Sequence, residues 1–423
     1  MSTWSRLIGS TSLNLAGYLY LLGASVVSIS LLSRGLSLSA LSAYVILAAV
    51  PPFISIFDLG MPQAVIRALS QAEGGELRRI RVNSYGFFLA TLPLIGLLTW
   101  LVLLILGRAP VVSAALTTPI ILSLVGCTMT NHLLNHFLAI AQAELRFGIY
   151  NIKSWLVGTV NTLGAGLLAL WTGDLTLIFV ALFAAYLLTL VTVVYSLDRG
   201  RYAVERIALS RPVLSRLLHY GLQNFLGTLS GQVELHAGKY ILSFLPPLFV
   251  SAFTIPQNVV YKLAGALSQG TLALFPLGSR LAHPDKRSEL RRLYYQLQAL
   301  ILGGSLLFVL IVALWGQPLL TLWLGAGELA QAAYPVLRLL SYFFVLMSLT
   351  PVASVVVNAL GYPLYTSLSA VATAALNLLL LGLLTPSGGA LGAAQAILVS
   401  SAVTTPVFLY LTERVLQDNK IQY

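Results

Sequence analysis

Runs of about twenty apolar residues, the length that crosses a hydrocarbon core of about 30 Å, recur along the whole of this chain. Each is read as a membrane-spanning helix, which makes the chain an all-α polytopic membrane protein. The composition excludes the ordinary soluble class: 58% of the 423 residues are hydrophobic and 9% are charged, against about 25% charged in a soluble domain. The stretches between runs are short, so no soluble domain is expected between them. MSTWSRLIGS at the start carries one charge and is followed by no small-residue cleavage site, so the first run is expected to be retained rather than removed as a signal peptide. The lone Cys127 leaves no cysteine pair within the chain and no Cys-based metal cluster.

The runs predict twelve spans, near 11–32, 37–60, 83–107, 115–142, 151–171, 177–197, 219–245, 249–279, 296–317, 332–360, 365–384 and 391–411. Lys and Arg set their orientation. With the N-terminus inside, the inner segments hold Arg6; Arg67, Arg78, Arg79 and Arg81; Arg146 and Lys153; Arg199, Arg201, Arg206, Arg211 and Arg216; Arg280, Lys286, Arg287, Arg291 and Arg292; and Arg414 and Lys420. Only Arg34 and Arg108 fall outside. Both termini are therefore expected in the cytoplasm, and the net charge of +11 reflects this bias rather than nucleic-acid binding.

The longest basic inner loop, 198–216, divides the spans six and six. Ser5-Arg6-Leu7, Asn14 and Gly17 recur at the same spacing as Ser215-Arg216-Leu217, Asn224 and Gly227, and Ser42-Ala43-Tyr44 matches Ser251-Ala252-Phe253. Two pseudo-repeated six-helix bundles, 1–210 and 211–423, are expected, with a path between them.

Polar residues inside the spans are the candidates for function, because a charge near the middle of a membrane helix costs roughly 2.5–3.5 kcal/mol on insertion scales. GQVELHAGKY (231–240) places Glu234, His236 and Lys239 in the seventh span. Gln223, Gly227, Ser230 and Glu234 share one helical face, while Gln232, His236 and Lys239 share another. Gly227 and Gly231 form a G-x-x-x-G, the pattern of close helix packing. In the eighth span Asn258, Lys262, Gly265 and Gln269 line one face, and Pro246, Pro247 and Pro256 bracket its outer half. Lys262 is the strongest candidate for touching an anion. Asn131, His132, Asn135 and His136 in the fourth span read by default as helix-to-helix hydrogen bonding, with a proton-linked role open because His titrates near neutrality; H-x-x-x-H without a third ligand makes no zinc site. Arg338 can either snorkel or face a cavity. Asp58 and Arg67, flanking Gly60 and Pro62, suggest a local ion pair across a helix break. No phosphate loop, nucleophile elbow or repeated His-carboxylate set is present, so neither catalysis nor a cofactor is expected.

Four stretches carry a family likeness. FDLGMPQAVIRALSQ (57–71), FPLGSRLAHPDKRSELRRLYYQ (275–296), GQPLLTLWLGAGELAQAAYPVLRLL (316–340) and SGGALGAAQA (387–396) resemble the O-antigen flippase branch of the multidrug/oligosaccharidyl-lipid/polysaccharide (MOP) exporter superfamily. The resemblance implies two six-helix bundles set as a V around a central cavity in the bacterial cytoplasmic (inner) membrane. It implies a flippase carrying a polyprenyl-diphosphate-linked oligosaccharide to the periplasmic leaflet by alternating access, driven by a proton or cation gradient. Carried onto this chain, the cavity-lining pattern implicates Lys239 and Lys262, with Glu234 and His236, and by position Asp58, as ion couplers. Gln223, Gln232, Asn258, Gln269 and Arg338 then complete the substrate contacts. The implied partners are the lipid-linked oligosaccharide, membrane lipids, a polysaccharide polymerase and glycosyltransferases. Two rivals stand beside this reading: a cation-coupled multidrug antiporter of the same superfamily, and a non-transporting scaffold of a glycan assembly complex.

Overall fold

The computed structural model describes residues 3–204, 206–271, 287–325 and 327–417. Every regular element among them is helical. Helices fall on all twelve expected spans, and they are named here by span number. The first is Thr3–Gly35; the second is Leu38–Leu47, continued by Val50–Ile54 and the tighter turn Ser55–Asp58; the third is Gly75–Leu106. Thr118–Ala143 is the fourth, Phe147–Thr159 with Ala165–Thr172 the fifth, Leu175–Asp198 the sixth, and Arg211–Leu242 the seventh. Pro247–Thr271, Arg287–Leu324 and Glu328–Ser348 with Thr350–Ala359 are the eighth to tenth. Pro363–Gln417 holds the last two, broken at Gly389, whose φ of 55° and ψ of −133° leave the helical region.

Eight helical stretches of the described residues are long and apolar enough to cross a membrane on composition alone. The fourth, seventh and eighth spans fall short for one reason. Each carries polar side chains, such as His132, Glu234 and Lys262, that lower its mean hydropathy and are tolerable in lipid only when turned inward.

Helix association in a bilayer lacks a hydrophobic drive and relies on close packing. At Gly35 an added Cβ would lie 2.4 Å from the carbonyl of Ala169, so the first and fifth spans touch backbone to backbone. Gly238 packs on the ring of Phe253 and on Leu381, with an added Cβ 2.9 Å from the ring. The expected packing at Gly227 and Gly231 is not seen among the described residues, since a Cβ at either would meet none of them within 4 Å. Spacing of small residues marks where helices can approach. It does not say which glycine the neighbour uses.

The fifth span contains a wide turn, Val160–Gly164, of the kind that frees backbone carbonyls. Two of these are taken up by neighbours: Ser28 Oγ donates to Thr162 O at 2.8 Å, and Tyr44 Oη donates to Asn161 O at 3.0 Å. The second span ends with Leu59 and Gly60 both at positive φ, 57° and 70°, and there it meets Gly221 of the seventh, whose carbonyl oxygen would be 2.3 Å from a Cβ on Gly60. After this bend Met61–Gln71 buries Met61, Ala64, Val65 and Leu69 along one face.

Internal packing divides the chain into two compact units, Met1–Gln232 and Val233–Tyr423. The first half of the seventh helix thus packs with the first unit. The inter-repeat loop is fastened to that unit as well: Ser210 N donates to Asn83 Oδ1 at 2.5 Å, and Arg81 lies 4.1 Å from the ring centre of Tyr202. Arg146 donates to the carbonyls of Leu197 and Ser196, at 2.5 and 2.7 Å, closing the C-terminus of the sixth helix where a cation is favoured. The core of the second unit gathers Leu290, Val352, Val356, Val357 and Phe408. Arg280, Lys286, Lys420 and the 275–286 part of one family-like stretch lie outside the described residues, as do the side chains of Arg6, Asn14, Asn224, Gln223 and Gln269.

Candidate functional site

The seventh helix runs unbroken from Arg211 to Leu242, so residues five apart on it project about 140° from each other. Glu234 and Lys239 accordingly serve different surroundings. Glu234 accepts a hydrogen bond from Tyr261 Oη at 3.1 Å. It opens on a cavity of about 180 Å³ in the second unit, walled by hydroxyls that include Thr350, Ser354, Ser369, Thr373, Ser401 and Thr405. The abundance of Ser and Thr in the tenth to twelfth spans was the signal for this wall, masked by their high helix-forming neighbours. His236 and Lys239 are each 4% exposed and buried on another side.

Lys262 is half-buried on the eighth helix, and its charge acts on that of Lys239. Asn258 and Gln232 are half-buried, and Gln232 Oε1 makes no hydrogen bond. Arg338 is exposed and lies beside Tyr342 and Tyr334, which is the snorkelling arrangement. Gln257, beside Asn258, is fully buried, and neither of its amide atoms has a partner among the described residues.

A larger cavity, of about 470 Å³, lies in the first unit. Asp58 and Gln63 reach it from the bend after the second span, Asn135 and Gln142 from the fourth, Tyr150 and Lys153 from the fifth. Asp58 Oδ1 accepts from the Gly60 amide at 3.0 Å, a side-chain turn that holds the bend. The expected Asp58–Arg67 pair is not formed. Gly60 turns the chain between them, and the Arg67 guanidinium stacks 4.3 Å from the ring centre of Tyr220. Lys153, expected on an inner loop, sits in the cavity wall because the fifth helix begins at Phe147; its Nζ donates to Asn135 Oδ1 at 3.3 Å.

The polar cluster of the fourth span divides in the same way. His132 Nε2 and Thr91 Oγ1 are 2.8 Å apart, and His136 Nδ1 and Ser84 Oγ are 3.4 Å apart, so the imidazoles bind the fourth helix to the third. Asn135, between them in sequence, faces the cavity instead. Among the described residues no three His, Cys, Asp or Glu side chains gather in a way that could hold a metal ion.

Helices long enough to span a membrane enclose amide- and charge-lined cavities here, and the same fold is found in known membrane transporters. The chain has the fold of MOP-superfamily transporters: it superposes on an inward-facing multidrug resistance MATE family transporter of that superfamily with a TM-score of 0.70, at 15% identity, over 95% of this chain and 98% of that one. Lipid II flippase MurJ in its inward closed conformation matches with a TM-score of 0.70, at 12% identity, over 95% and 88%. By sequence the chain is 22% identical over 396 residues, 90% of its length and 91% of the other's, to a Shigella flexneri protein described as "Putative O-antigen transporter". No family model matches.

Proposed function

We propose that the chain is a flippase for a polyprenyl-diphosphate-linked oligosaccharide, moving the head group from the cytoplasmic to the periplasmic leaflet of the inner membrane, both termini being cytoplasmic. The observation that carries this reading is the placing of Lys239 and Lys262 on consecutive membrane helices, with the charge of Lys262 acting on Lys239. Like charges brought together away from water destabilise the empty protein. A diphosphate reverses the sign of that interaction. The relative from Shigella flexneri is described as an O-antigen transporter, which agrees with such a substrate.

In this reading Lys262 and Lys239 draw in the diphosphate, while Gln223, Gln232, Asn258 and Gln269 hydrogen-bond sugar hydroxyls and Arg338 meets anionic groups near the membrane surface. Glu234 takes up the coupling ion. Its cavity, about 180 Å³, is smaller than the roughly 300–1,000 Å³ of drug-sized sites. This argues against a multidrug antiporter that seats its cargo on Glu234, and suits a small hydrated cation or a proton. A scaffold would have its membrane charges sealed in pairs, whereas Glu234 opens on a cavity. His236 and Asp58 are assigned to coupling alongside it.

The test is complementation in a bacterium that lacks its own glycan flippase and carries this chain. Lys262→Ala abolishes surface glycan at normal protein level, and Lys262→Arg keeps a measurable part. Export by Lys262→Ala at the normal rate would sink the reading.

A further inference from the structure

The first-unit cavity at Asp58 enters that assignment through Asp58 alone, yet it is larger than the cavity at Glu234 and more richly lined with amides and charges. Its polar wall is Asp58, Gln63, Asn135, Gln142, Tyr150 and Lys153. Asn135 and Gln142 lie two turns apart on one face of the fourth helix, and Tyr150 and Lys153 one turn apart on the fifth. The third side is the bend, whose positive φ values at Leu59 and Gly60 and close approach to Gly221 fix where Asp58 and Gln63 stand. The seventh helix adds Phe225 and Thr228, so the site is held by four elements of one unit.

Its chemistry selects among ligands. The Asp58 carboxylate and the Lys153 ammonium act on each other's charge, with Asn135 bonded to Lys153 between them, so the lining has no net charge to offer a diphosphate. A cation would meet one carboxylate and an ammonium. An acyl chain would strip water from three carboxamides and give no hydrogen bond back. A neutral polyhydroxylated ring fits each group at once, because a hydroxyl both donates and accepts, the carboxylate accepts, the ammonium donates and the carboxamides do both. The volume, about 470 Å³, falls within the roughly 300–1,000 Å³ of small-molecule sites.

We infer that this cavity is a sugar subsite that receives a pyranose of the transported head group at the end of the first unit that the Lys and Arg distribution assigns to the cytoplasm. The inference rests on the flippase reading. The amide wall is a site of its own within the first unit, so the sugar's contribution to affinity is separable by mutation from that of the diphosphate.

The full chain in lipid nanodiscs is titrated by microscale thermophoresis with undecaprenyl diphosphate and with the same lipid bearing N-acetylglucosamine, N-acetylgalactosamine, galactose or glucose. The native protein binds at least one sugar-bearing lipid about tenfold more tightly than the bare one, the increment of one or two net hydrogen bonds. Gln142→Ala and Asn135→Ala, each checked for an unaltered unfolding temperature, abolish that increment and leave the bare lipid's affinity within about twofold. Lys262→Ala weakens all five lipids alike. A sugar increment that survives in Gln142→Ala and Asn135→Ala overturns the subsite, as does an equal loss for bare and sugar-bearing lipid in both, or a native protein that does not distinguish them. Failure of every lipid to bind the native protein is a different result, and it overturns the flippase reading itself.

Discussion

Lys239, 4% exposed, and Lys262, half-buried, are costly residues for a membrane helix to keep, and the cost separates a functional lysine from a structural one. Replacing a buried charge with an apolar side chain of similar length relieves desolvation. Lys239→Met is therefore expected to unfold at the same or a higher temperature while export falls at least tenfold. A loss of stability of about 2 kcal/mol or more, the mark of a broken buried contact, would make Lys239 a packing residue. Glu234 allows a finer cut. Tyr261→Phe removes the hydroxyl that donates to its carboxylate, worth about 1.5–3 kcal/mol for a bond to a charged group. The variant should fold normally and shift the ion-gradient dependence of export measured in vesicles. Unchanged gradient dependence in both Tyr261→Phe and Glu234→Gln would remove Glu234 from coupling.

Helices and turns show where glycine spacing misleads. Alanine inside an exposed helix is worth up to about 1 kcal/mol over glycine, so Gly227→Ala and Gly231→Ala, which meet open space, should raise thermal stability slightly. Gly221→Ala should do the reverse. Its Cβ would stand 2.6 Å from the Leu59 carbonyl oxygen, and the lost bend should cost about 1–3 kcal/mol, read as a lower unfolding temperature. Opposite signs for glycines in one helix would confirm that Gly221 is packed against the bend while Gly227 and Gly231 are not packed. Gly392, whose Cβ would lie 2.1 Å from Leu384 O, makes the hairpin of the last two spans equally intolerant. The wide turn in the fifth span had no signal in VNTLG itself, because its released carbonyls are satisfied by Ser28 and Tyr44, donors more than a hundred residues away.

For the whole chain, orientation is the property most open to measurement. Cys127 is buried, so single cysteines placed elsewhere report without background. With both termini inside, Arg108→Cys is labelled by a membrane-impermeant maleimide in intact cells, and Arg199→Cys only after permeabilisation. The reverse pattern would overturn the positive-inside reading. Both positions lie in connections between spans, where substitution is tolerated.

The positions of the twelve spans and the polar character of the fourth, seventh and eighth were legible in the amino-acid order, because crossing lipid is a local demand that each segment meets with its own backbone. Helix lengths were not, the ninth running from Arg287 to Leu324 where 296–317 was expected. The separation of Glu234 from Lys239 was legible, since it follows from helical geometry alone. The cavity around Asp58, Asn135 and Lys153 was not. Its lining is drawn from four separated segments, and Asp58, Asn135 and Lys153 read alone had bland explanations in a local ion pair, a packing face and a loop. Folding brought them to one place through the bend at Gly60 and the early start of the fifth helix. Such convergence is set by long-range packing, which leaves no period in the sequence to read.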